Sequence, residues 1–219
     1  MTSEEVPAGL RERKKARTRA AISAAAIALF LERGFDAVSV VEIAAAAEVS
    51  KRTLFAYFPA KEDLVLHRIA DHEQESAEVV RARPPGRAVL DALHEHFLDG
   101  LRRRDPVTGL NAEPEPLALY EMLTSTPSLA LRLRLYLARS EEALAAALAE
   151  TARAPLDPLV ARLAAAQITA VQRTLADDNI RRVVDSGERQ VTDRLHRDAV
   201  AAADRAFTLL RTGLGAALG

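Results

Sequence analysis

The sequence predicts an all-α protein of about nine helices. A three-helix helix-turn-helix domain at the N-terminus is expected to precede a larger helical body. Aromatic residues make up 4% of the chain and glycines number 9, so a β-sheet has little to build with. Alanine and leucine, which favour helices, dominate instead, and helix start and stop signals recur along the chain. We therefore expect two domains, residues 1–60 and residues 61–219.

The N-terminal segment is basic and leads into a first helix predicted over about residues 17–33. Such an arm suits contact with DNA phosphates or with the minor groove, and the alternative is a solvated terminus. An apolar stripe follows at helical spacing, and Gly34 ends the helix. The basic residues are Arg11, Arg13, Lys14, Lys15, Arg17 and Arg19, against the single acid Glu12, and the stripe comprises Ile22, Ala25, Ala26, Leu29 and Phe30.

The next segment has the pattern of two short helices joined by a tight turn. Ser39 and Glu42 are spaced as a capping box, which starts the first of these helices. Ser50 is placed to cap the second helix, and Leu54 and Phe58 give that helix one buried face. A short helix with basic and hydroxyl groups at its exposed N-terminal end is what a reader of the major groove needs. The residues expected to face outward are Lys51, Arg52, Thr53 and Tyr57.

The ordered string RTRAAISAAAIALFLERGFDAVSVVEIAAAAEVSKRTLFAYFPAKEDL, residues 17–64, resembles the DNA-binding domain of the TetR/AcrR family of transcriptional regulators. The resemblance implies that Ser39 touches a phosphate and that Phe55 and Tyr57 match the aromatic pair of the family. It also implies that Lys61 holds the backbone at the start of the fourth helix. The residues expected to bind DNA are Arg17, Ser39, Ser50, Lys51, Arg52, Thr53, Phe55, Tyr57 and Lys61.

Three positions depart from the pattern of this family. Phe55 stands where tyrosine is usual, which removes a hydroxyl that could hydrogen-bond to a phosphate. Glu48 stands where glycine is usual, at the turn between the two short helices. If φ is positive there, a glutamate costs about 1 kcal/mol, and it also places an acid near DNA. Ala60 replaces the usual polar cap of the fourth helix. Together these departures suggest a weaker grip on the DNA backbone or a different operator.

Composition and charge fit a soluble intracellular regulator. The chain has no cysteine, which excludes disulfides and thiol chemistry. It has no run approaching the ~18 apolar residues that span a membrane and no signal peptide, so we expect a cytoplasmic protein. The net charge is −1, yet residues 1–60 carry 9 Lys and Arg against 7 Asp and Glu. A basic reading domain on a mildly acidic body suits sequence-specific DNA binding.

The body is predicted as a succession of helices that begin or end at prolines and glycines. The first should run from about residue 61 to residue 83 and end at Pro84-Pro85. No flexible linker precedes it, so we expect this helix to connect the two domains rigidly. Further helices are predicted over about residues 86–103, 117–124, 126–153, 157–185 and 189–214, with a loop over residues 105–116.

The last two predicted helices, numbers 8 and 9, are long and rich in small residues. They suit pairing with a symmetry mate as a four-helix bundle, although both could be core helices of a monomer. The family resemblance favours a homodimer through helices 8 and 9, because these regulators dimerise through their last two long helices. A dimer would also let two recognition helices read the half-sites of a palindrome.

The body is also expected to hold an effector site, for which ordinary core packing is the alternative at every position. The string LTSTPSLALRLRLYLARSEEALAAAL resembles a subgroup of these regulators that includes acyl-CoA-responsive members. A fatty acyl-CoA, or another apolar and anionic small molecule, is therefore the predicted effector. Arg132, Arg134 and Arg139 could suit its phosphates or form a solvated helix face. The candidate lining residues are Phe97, Leu101, Tyr120, Leu123, Tyr136, Gln167 and Val171.

Catalytic and metal patterns are missing from the sequence, so we expect neither an enzyme nor a cofactor or metal. There is no Gly-x-Ser-x-Gly elbow and no glycine-rich phosphate loop. His94 and His96 are two residues apart and point to different faces of a helix, and His67 and His72 are no better spaced.

The predicted function is a ligand-responsive DNA-binding regulator, a repressor released from a palindromic operator by a small apolar effector. One alternative is a helical binding or adaptor protein that has lost specific DNA recognition, which Glu48, Phe55 and the near-neutral charge favour. Another is a DNA binder without an effector, whose body only dimerises.

Overall fold

The structure is a computed structural model that describes residues 8–70, 72–152 and 155–218. Over these residues it contains ten α-helices, one short 3₁₀ helix at Pro106–Thr108 and no strand, which confirms the all-α prediction. The α-helices are α1 Ala8–Arg33, α2 Val40–Ala46, α3 Lys51–Tyr57, α4 Lys61–Ala70, α5 Glu75–Ala82, α6 Val89–Arg103, α7 Pro114–Ser125, α8 Pro127–Thr151, α9 Pro158–Ser186 and α10 Asp193–Leu218.

The chain divides into two compact units. The first unit ends at Arg68 and also includes Glu121–Arg132, whereas the second comprises Ile69–Tyr120 and resumes at Leu133. The expected boundary after residue 60 therefore lies before the observed one. The physical reason is that Leu64 is fully buried in the first unit, where its carbonyl accepts a hydrogen bond of 2.7 Å from the buried hydroxyl of Ser23.

The basic N-terminal segment is helical, so the expected start of the first helix near residue 17 is wrong. Helix α1 begins at Ala8 and continues without a break to Arg33. Lysine, arginine and alanine are good helix formers, which explains why the helix extends through this segment. The side chains of Arg13, Lys14 and Lys15 are exposed, while that of Arg11 lies outside the described residues.

The core of the first unit is close to the predicted one. Of the predicted stripe on α1, three residues are buried and two are half-buried. Ile27 and Ser23 are buried as well, although the predicted stripe did not include them. Gly34 has a φ of 88° and ends α1 as predicted. The buried residues that α2 and α3 add are Ile43, Ala44 and Leu54, and Phe58 follows at the end of α3.

The long helix predicted over residues 61–83 is wrong, because the structure contains two shorter helices, α4 and α5. The residues between them are polar, so no apolar contact favours a continuous helix there. Instead, Oε2 of Glu75 lies 2.8 Å from Nδ1 of His72, and Oε1 lies 3.0 Å from Nε2 of His96 on α6. These hydrogen bonds hold the pKa of Glu75 well below its usual range and fix the start of α5.

The core of the second unit is formed mainly by α6, α9 and α10. Gly109, which follows the 3₁₀ helix, lies directly against the backbone of α9. A Cβ at this position would be only 2.1 Å from the carbonyl oxygen of Ala176, so only glycine fits there. The buried amide of Asn179 also donates a hydrogen bond of 2.9 Å to the carbonyl of Thr108. The predicted loop over residues 105–116 is therefore pinned to α9, and its last part belongs to α7, which begins at Pro114.

Proline and glycine signals place most other helix ends correctly. The side chain of Asp157 caps α9, Pro158 is its first residue, and Gly187 ends it with a φ of 63°. Pro127 begins α8 as predicted, whereas α10 begins at Asp193 rather than near residue 189. Within the described residues, no helix is both long enough and apolar enough to cross a membrane.

Candidate nucleic-acid interface

The start of α2 is held by the predicted capping box. Oγ of Ser39 accepts a hydrogen bond of 3.2 Å from the backbone N–H of Glu42, and the carboxylate of Glu42 accepts one of 2.8 Å from the N–H of Ser39. Arg33 at the end of α1 also donates to Glu42, at 2.7 Å. Hydrogen bonds from Ser39 and Arg33 lower the pKa of Glu42 to about 2. The hydroxyl of Ser39 is exposed and still has its own proton to donate, as a phosphate contact requires.

The turn between α2 and α3 is closed by backbone hydrogen bonds. The N–H of Glu48 donates to the carbonyl of Ala45 at 3.1 Å, and the N–H of Val49 donates to that of Ala44 at 2.9 Å. The φ of Glu48 is 53°, so the backbone of this residue has the positive φ at which a glutamate is strained. A glutamate therefore occupies a left-handed conformation that glycine adopts without steric cost.

Ser50 caps α3 as predicted. Its Oγ accepts a hydrogen bond of 3.0 Å from the N–H of Thr53 and lies 2.8 Å from the hydroxyl of Thr53. Leu54 and Phe58 are fully buried, which fixes the rotation of α3 on the core of the first unit.

The outward side of α3 agrees only in part with the prediction. Lys51 and Arg52 are exposed, but Thr53 and Tyr57 are half-buried, and the Thr53 hydroxyl is already engaged with Ser50. Phe55 is 38% exposed, and Nζ of Lys51 lies 5.9 Å from the centre of its ring. The exposed surface of α3 thus combines two cationic side chains with an aromatic ring.

Lys61 is placed by contacts inside the first unit. Its Nζ donates a hydrogen bond of 2.5 Å to the carbonyl oxygen of Phe35 and lies 4.4 Å from the ring centre of Phe35 and 5.4 Å from that of Phe30. An ammonium group has three protons, so one internal bond leaves donors for a phosphate. The contact between Lys61 and DNA stays a prediction.

Sequence reasoning missed the role of Asp63. Oδ2 of this residue accepts a hydrogen bond of 3.0 Å from the N–H of Ala60, which supplies part of the capping that an alanine cannot provide. Its Oδ1 accepts from Nε of Arg132, at 2.8 Å. The spacing of Ala60 and Asp63 matches the second half of a capping box and could have been found.

The N-terminal half of α1 contributes further positive charge to the first unit. Arg17 is exposed, as its predicted contact with DNA requires. The guanidinium of Arg19 instead lies 5.3 Å from the ring centre of Phe58, which ties it to the end of α3.

The residues predicted to line the effector site differ in burial and in the residues that they contact. Phe97 and Leu101 lie in the core of the second unit, and Tyr136 is also buried. Tyr120 donates a hydrogen bond of 3.0 Å to Asp177, and burial together with this carboxylate raises its pKa. Val171 is half-buried.

Two further residues predicted to line the effector site lie outside the core of the second unit. Gln167 is exposed and donates to the carbonyl of Leu163 on its own helix, at 3.3 Å, so its position does not support the predicted polar foothold. Leu123 is buried but belongs to the first unit. A cavity of about 280 Å³ in the second unit contains none of the predicted residues and is lined by Arg182, Asp185, Ser186, Arg194, Leu195 and Asp198.

Two of the three arginines that could suit the phosphates of a ligand form ion pairs with carboxylates of the protein. Arg132 pairs with Asp63 at 2.7 Å, and Arg139 pairs with Glu73 at 3.1 Å. Arg134 is exposed. The three side chains therefore do not form one anion site.

The histidines of α6 also contact separate partners. Nε2 of His94 lies 3.0 Å from Asp204, whereas Nε2 of His96 lies 3.0 Å from Glu75. In the part of the chain that the structure describes, no three His, Cys, Asp or Glu side chains are arranged to hold a metal ion.

Helices α9 and α10, which correspond to predicted helices 8 and 9, carry exposed apolar side chains on their outer faces. Leu159 and Leu163 lie near the start of α9 and are 55% and 52% exposed, and Leu209 on α10 is 73% exposed. Val184 of α9 is also 59% exposed, whereas other apolar residues of these helices, such as Leu175 and Phe207, are buried in the core of the second unit. The surface open to a partner is therefore narrower than the sequence pattern indicated.

A helix-turn-helix with a basic outer face, followed by a helical body, defines a class of DNA-binding regulators, and comparison with known proteins agrees. Residues 22–67 match the family described as bacterial regulatory proteins, tetR family. The HTH-type transcriptional regulator TcmR of Streptomyces glaucescens is 36% identical over 136 residues, which is 61% of this chain and 58% of that protein. The match thus spans less than two thirds of this curated relative. Residues 22–67 are thus similar to the DNA-binding segment of this family, and a longer part of the chain is similar to one of its regulators.

Solved structures show the same fold over nearly the whole chain. Salmonella enterica GusR is 22% identical with a TM-score of 0.55, and the match covers 90% of this chain and 94% of that one. NalD, the secondary repressor of the MexAB-OprM multidrug efflux pump in Pseudomonas aeruginosa, is 20% identical with a TM-score of 0.57, covering 89% and 96%. At these identities the likeness concerns the fold.

Proposed function

We propose that this chain is a transcriptional repressor that binds a palindromic operator as a homodimer and is released by a small apolar effector. The observation that carries the proposal is the outer face of α3, where Lys51 and Arg52 are exposed on a helix whose rotation is fixed by buried Leu54 and Phe58. Rigid placement of a few donor side chains is what readout of base edges in the major groove requires.

The homodimer is proposed to form through α9 and α10. Exposed leucines on both helices support this, because apolar side chains on an outer face gain free energy when a second copy covers them. A closed two-fold dimer would also present two copies of α3 to two half-sites. One α3 of seven residues reads too few base pairs to select a single operator.

The effector is proposed to be a fatty acyl-CoA or another apolar, anionic small molecule that binds the helical body. Its binding would shift the helix that starts at Lys61 and so weaken the hold on the operator. Loss of affinity for DNA by ~10²-fold requires that the effector favour the non-binding state by ~2.7 kcal/mol. Isothermal titration that gives no heat with any acyl-CoA, while another lipophile binds, would remove the acyl-CoA.

The test of the DNA-binding function is selection from a randomised duplex library at two salt concentrations, followed by sequencing. We expect a palindrome to be enriched at both concentrations, with affinity falling as salt rises. A double variant, Lys51→Ala with Arg52→Ala, should lose the motif, whereas Arg102→Ala, at an exposed residue of α6, should keep it. No enriched motif with wild-type protein would contradict the proposal and favour an adaptor that has lost DNA recognition.

A further inference from the structure

Glu48 is an exposed carboxylate in a left-handed backbone conformation at the turn between α2 and α3. Its φ is 53°, and its side chain is exposed. Within the described residues, no hydrogen bond or ion pair to its carboxylate is found, although Lys51 and Arg52 are close in sequence. The side chain therefore has no internal role that would explain why a glutamate stands at this position.

The conformation makes glutamate an expensive choice for this turn. A non-glycine residue with left-handed φ costs about 1 kcal/mol, and asparagine or aspartate tolerates it better than glutamate does. The charge is unfavourable as well, because a carboxylate beside the DNA backbone repels phosphates. Backbone strain and charge repulsion thus coincide at one exposed residue. Strained residues cluster at functional sites, which favours a function for this side chain.

The position of Glu48 brings its carboxylate within reach of the surface that α3 presents. Lys51 is three positions further along the chain, so the Cα atoms of the two residues are at most about 11 Å apart. The turn is closed by the hydrogen bonds of Glu48 and Val49 to α2, and α3 is fixed by its buried face. The carboxylate is thus carried by a rigid turn rather than by a mobile loop.

The chemistry of an ionised carboxylate decides which base it can read. It accepts hydrogen bonds and donates none. In the major groove, cytosine presents the N4 amino group as a donor, and adenine presents the N6 amino group beside the acceptor N7, whereas guanine presents acceptors at O6 and N7 and thymine presents one at O4. A carboxylate at a base edge therefore favours cytosine, suits adenine less because N7 repels it, and repels guanine and thymine.

We infer that Glu48 is a specificity-determining residue that reads a cytosine in each half-site and weakens binding to all other DNA. This inference rests on the proposed DNA-binding function and adds a named base preference to it. Lys51 and Arg52 would supply attraction, and Glu48 would supply discrimination, because its charge is compensated best where a cytosine amino group meets it, with no neighbouring acceptor on that base.

The test compares wild-type protein with Glu48→Gln and with Glu32→Gln. The Glu32 variant is the matched control, since Glu32 is also an exposed glutamate of the first unit but lies in the interior of α1. Each protein is selected against the same randomised duplex library. Its Kd is then measured by fluorescence anisotropy for the enriched duplex, for each single-base variant of it and for a scrambled duplex, with circular dichroism to establish that the proteins are folded.

We expect the wild-type motif to contain a cytosine whose replacement weakens binding roughly tenfold, and Glu48→Gln to lose that preference or move it to adenine, which an amide reads. The scrambled duplex should bind the Glu48 variant more tightly, and Glu32→Gln should match wild type. An unchanged motif and unchanged Kd ratios in Glu48→Gln would overturn the inference and leave the DNA-binding function standing. Failure of wild-type protein to enrich any motif would overturn both.

Discussion

The ammonium group of Lys61 donates a hydrogen bond of 2.5 Å to the carbonyl oxygen of Phe35 and lies 4.4 Å from the centre of that residue's ring. This contact joins the first residue of α4 to the segment between α1 and α2. This side chain thus stabilises the first unit, and it is also predicted to bind a DNA phosphate.

We predict that Lys61→Ala weakens binding to all DNA sequences alike and destabilises the first unit. Loss of a hydrogen bond from a charged donor and of its contact with two aromatic rings should cost about 2 kcal/mol of unfolding free energy. Mobility shifts on several duplexes, at a temperature where both proteins are folded, measure the first effect, and urea titration measures the second. Lys61→Arg, which keeps the charge, is the control. Selective loss of one sequence would contradict the phosphate role.

Substitutions on the outer face of α3 should change the sequence preference instead. Lys51→Ala and Arg52→Ala each remove an exposed donor without disturbing the buried face of α3. We expect each to relax the preference at one or two base pairs by about 1–3 kcal/mol. Competition between the enriched operator and its single-base variants is the measurement. A uniform loss over all variants would show that these residues contact only phosphates.

Glu48→Gly should stabilise the protein, because glycine adopts a φ of 53° without a steric penalty. The gain is expected to be near 1 kcal/mol, reduced by the greater freedom of glycine in the unfolded chain. Thermal unfolding followed by circular dichroism tests this, with Glu32→Gly as the control that should destabilise, since it places glycine inside a helix. An unchanged or lower Tm for Glu48→Gly would count against the strain.

Stability should fall as the pH drops below 6.5. Burial, and then the charge of Arg211, lower the pKa of His94 from 6.5 in spite of Asp204 and Asp91. The ring accepts a hydrogen bond from Arg211 through Nδ1, at 3.1 Å, and a protonated Nδ1 cannot accept it. The unfolded chain therefore binds more protons below pH 6.5, so the free energy of unfolding rises with pH in that window.

Urea titrations between pH 7.5 and 5 measure this dependence. We expect His94→Gln to reduce the slope of unfolding free energy against pH. His196, whose pKa is lowered by burial and by Arg104, should contribute in the same direction, so His196→Gln is a second, independent variant. Equal slopes for wild type and both variants would show that neither histidine is responsible.

Local sequence patterns were sufficient to predict the helices and turns of the helix-turn-helix domain. The capping box of Ser39 and Glu42, the cap at Ser50 and the stops at Gly34 and Gly187 depend on residues at most a few positions apart, and the structure contains each of them. Hydrogen bonds of this kind form wherever the residue types and spacing are right. The positive φ at Glu48 had been raised as a condition by the family resemblance, because glycine is usual at that position.

Longer-range features were beyond the sequence pattern. The break between α4 and α5 depends on Glu75 meeting His96 on α6, and the capping of α4 depends on Asp63, whose other partner Arg132 is far away in sequence. The composition of α9 and α10 did not distinguish residues that pack in the core, such as Phe207, from exposed ones, such as Leu209.

The sequence by itself determined the all-α class and the helix-turn-helix, because helix propensity and capping are local, and the family resemblance supplied most of the candidate DNA-binding residues. The tertiary structure decided which of those residues are free. It engages Lys61 with Phe35, and it leaves Lys51, Arg52, Glu48 and Gln167 exposed. Exposure and pairing depend on elements that are distant in the chain, and only folding brings these elements together.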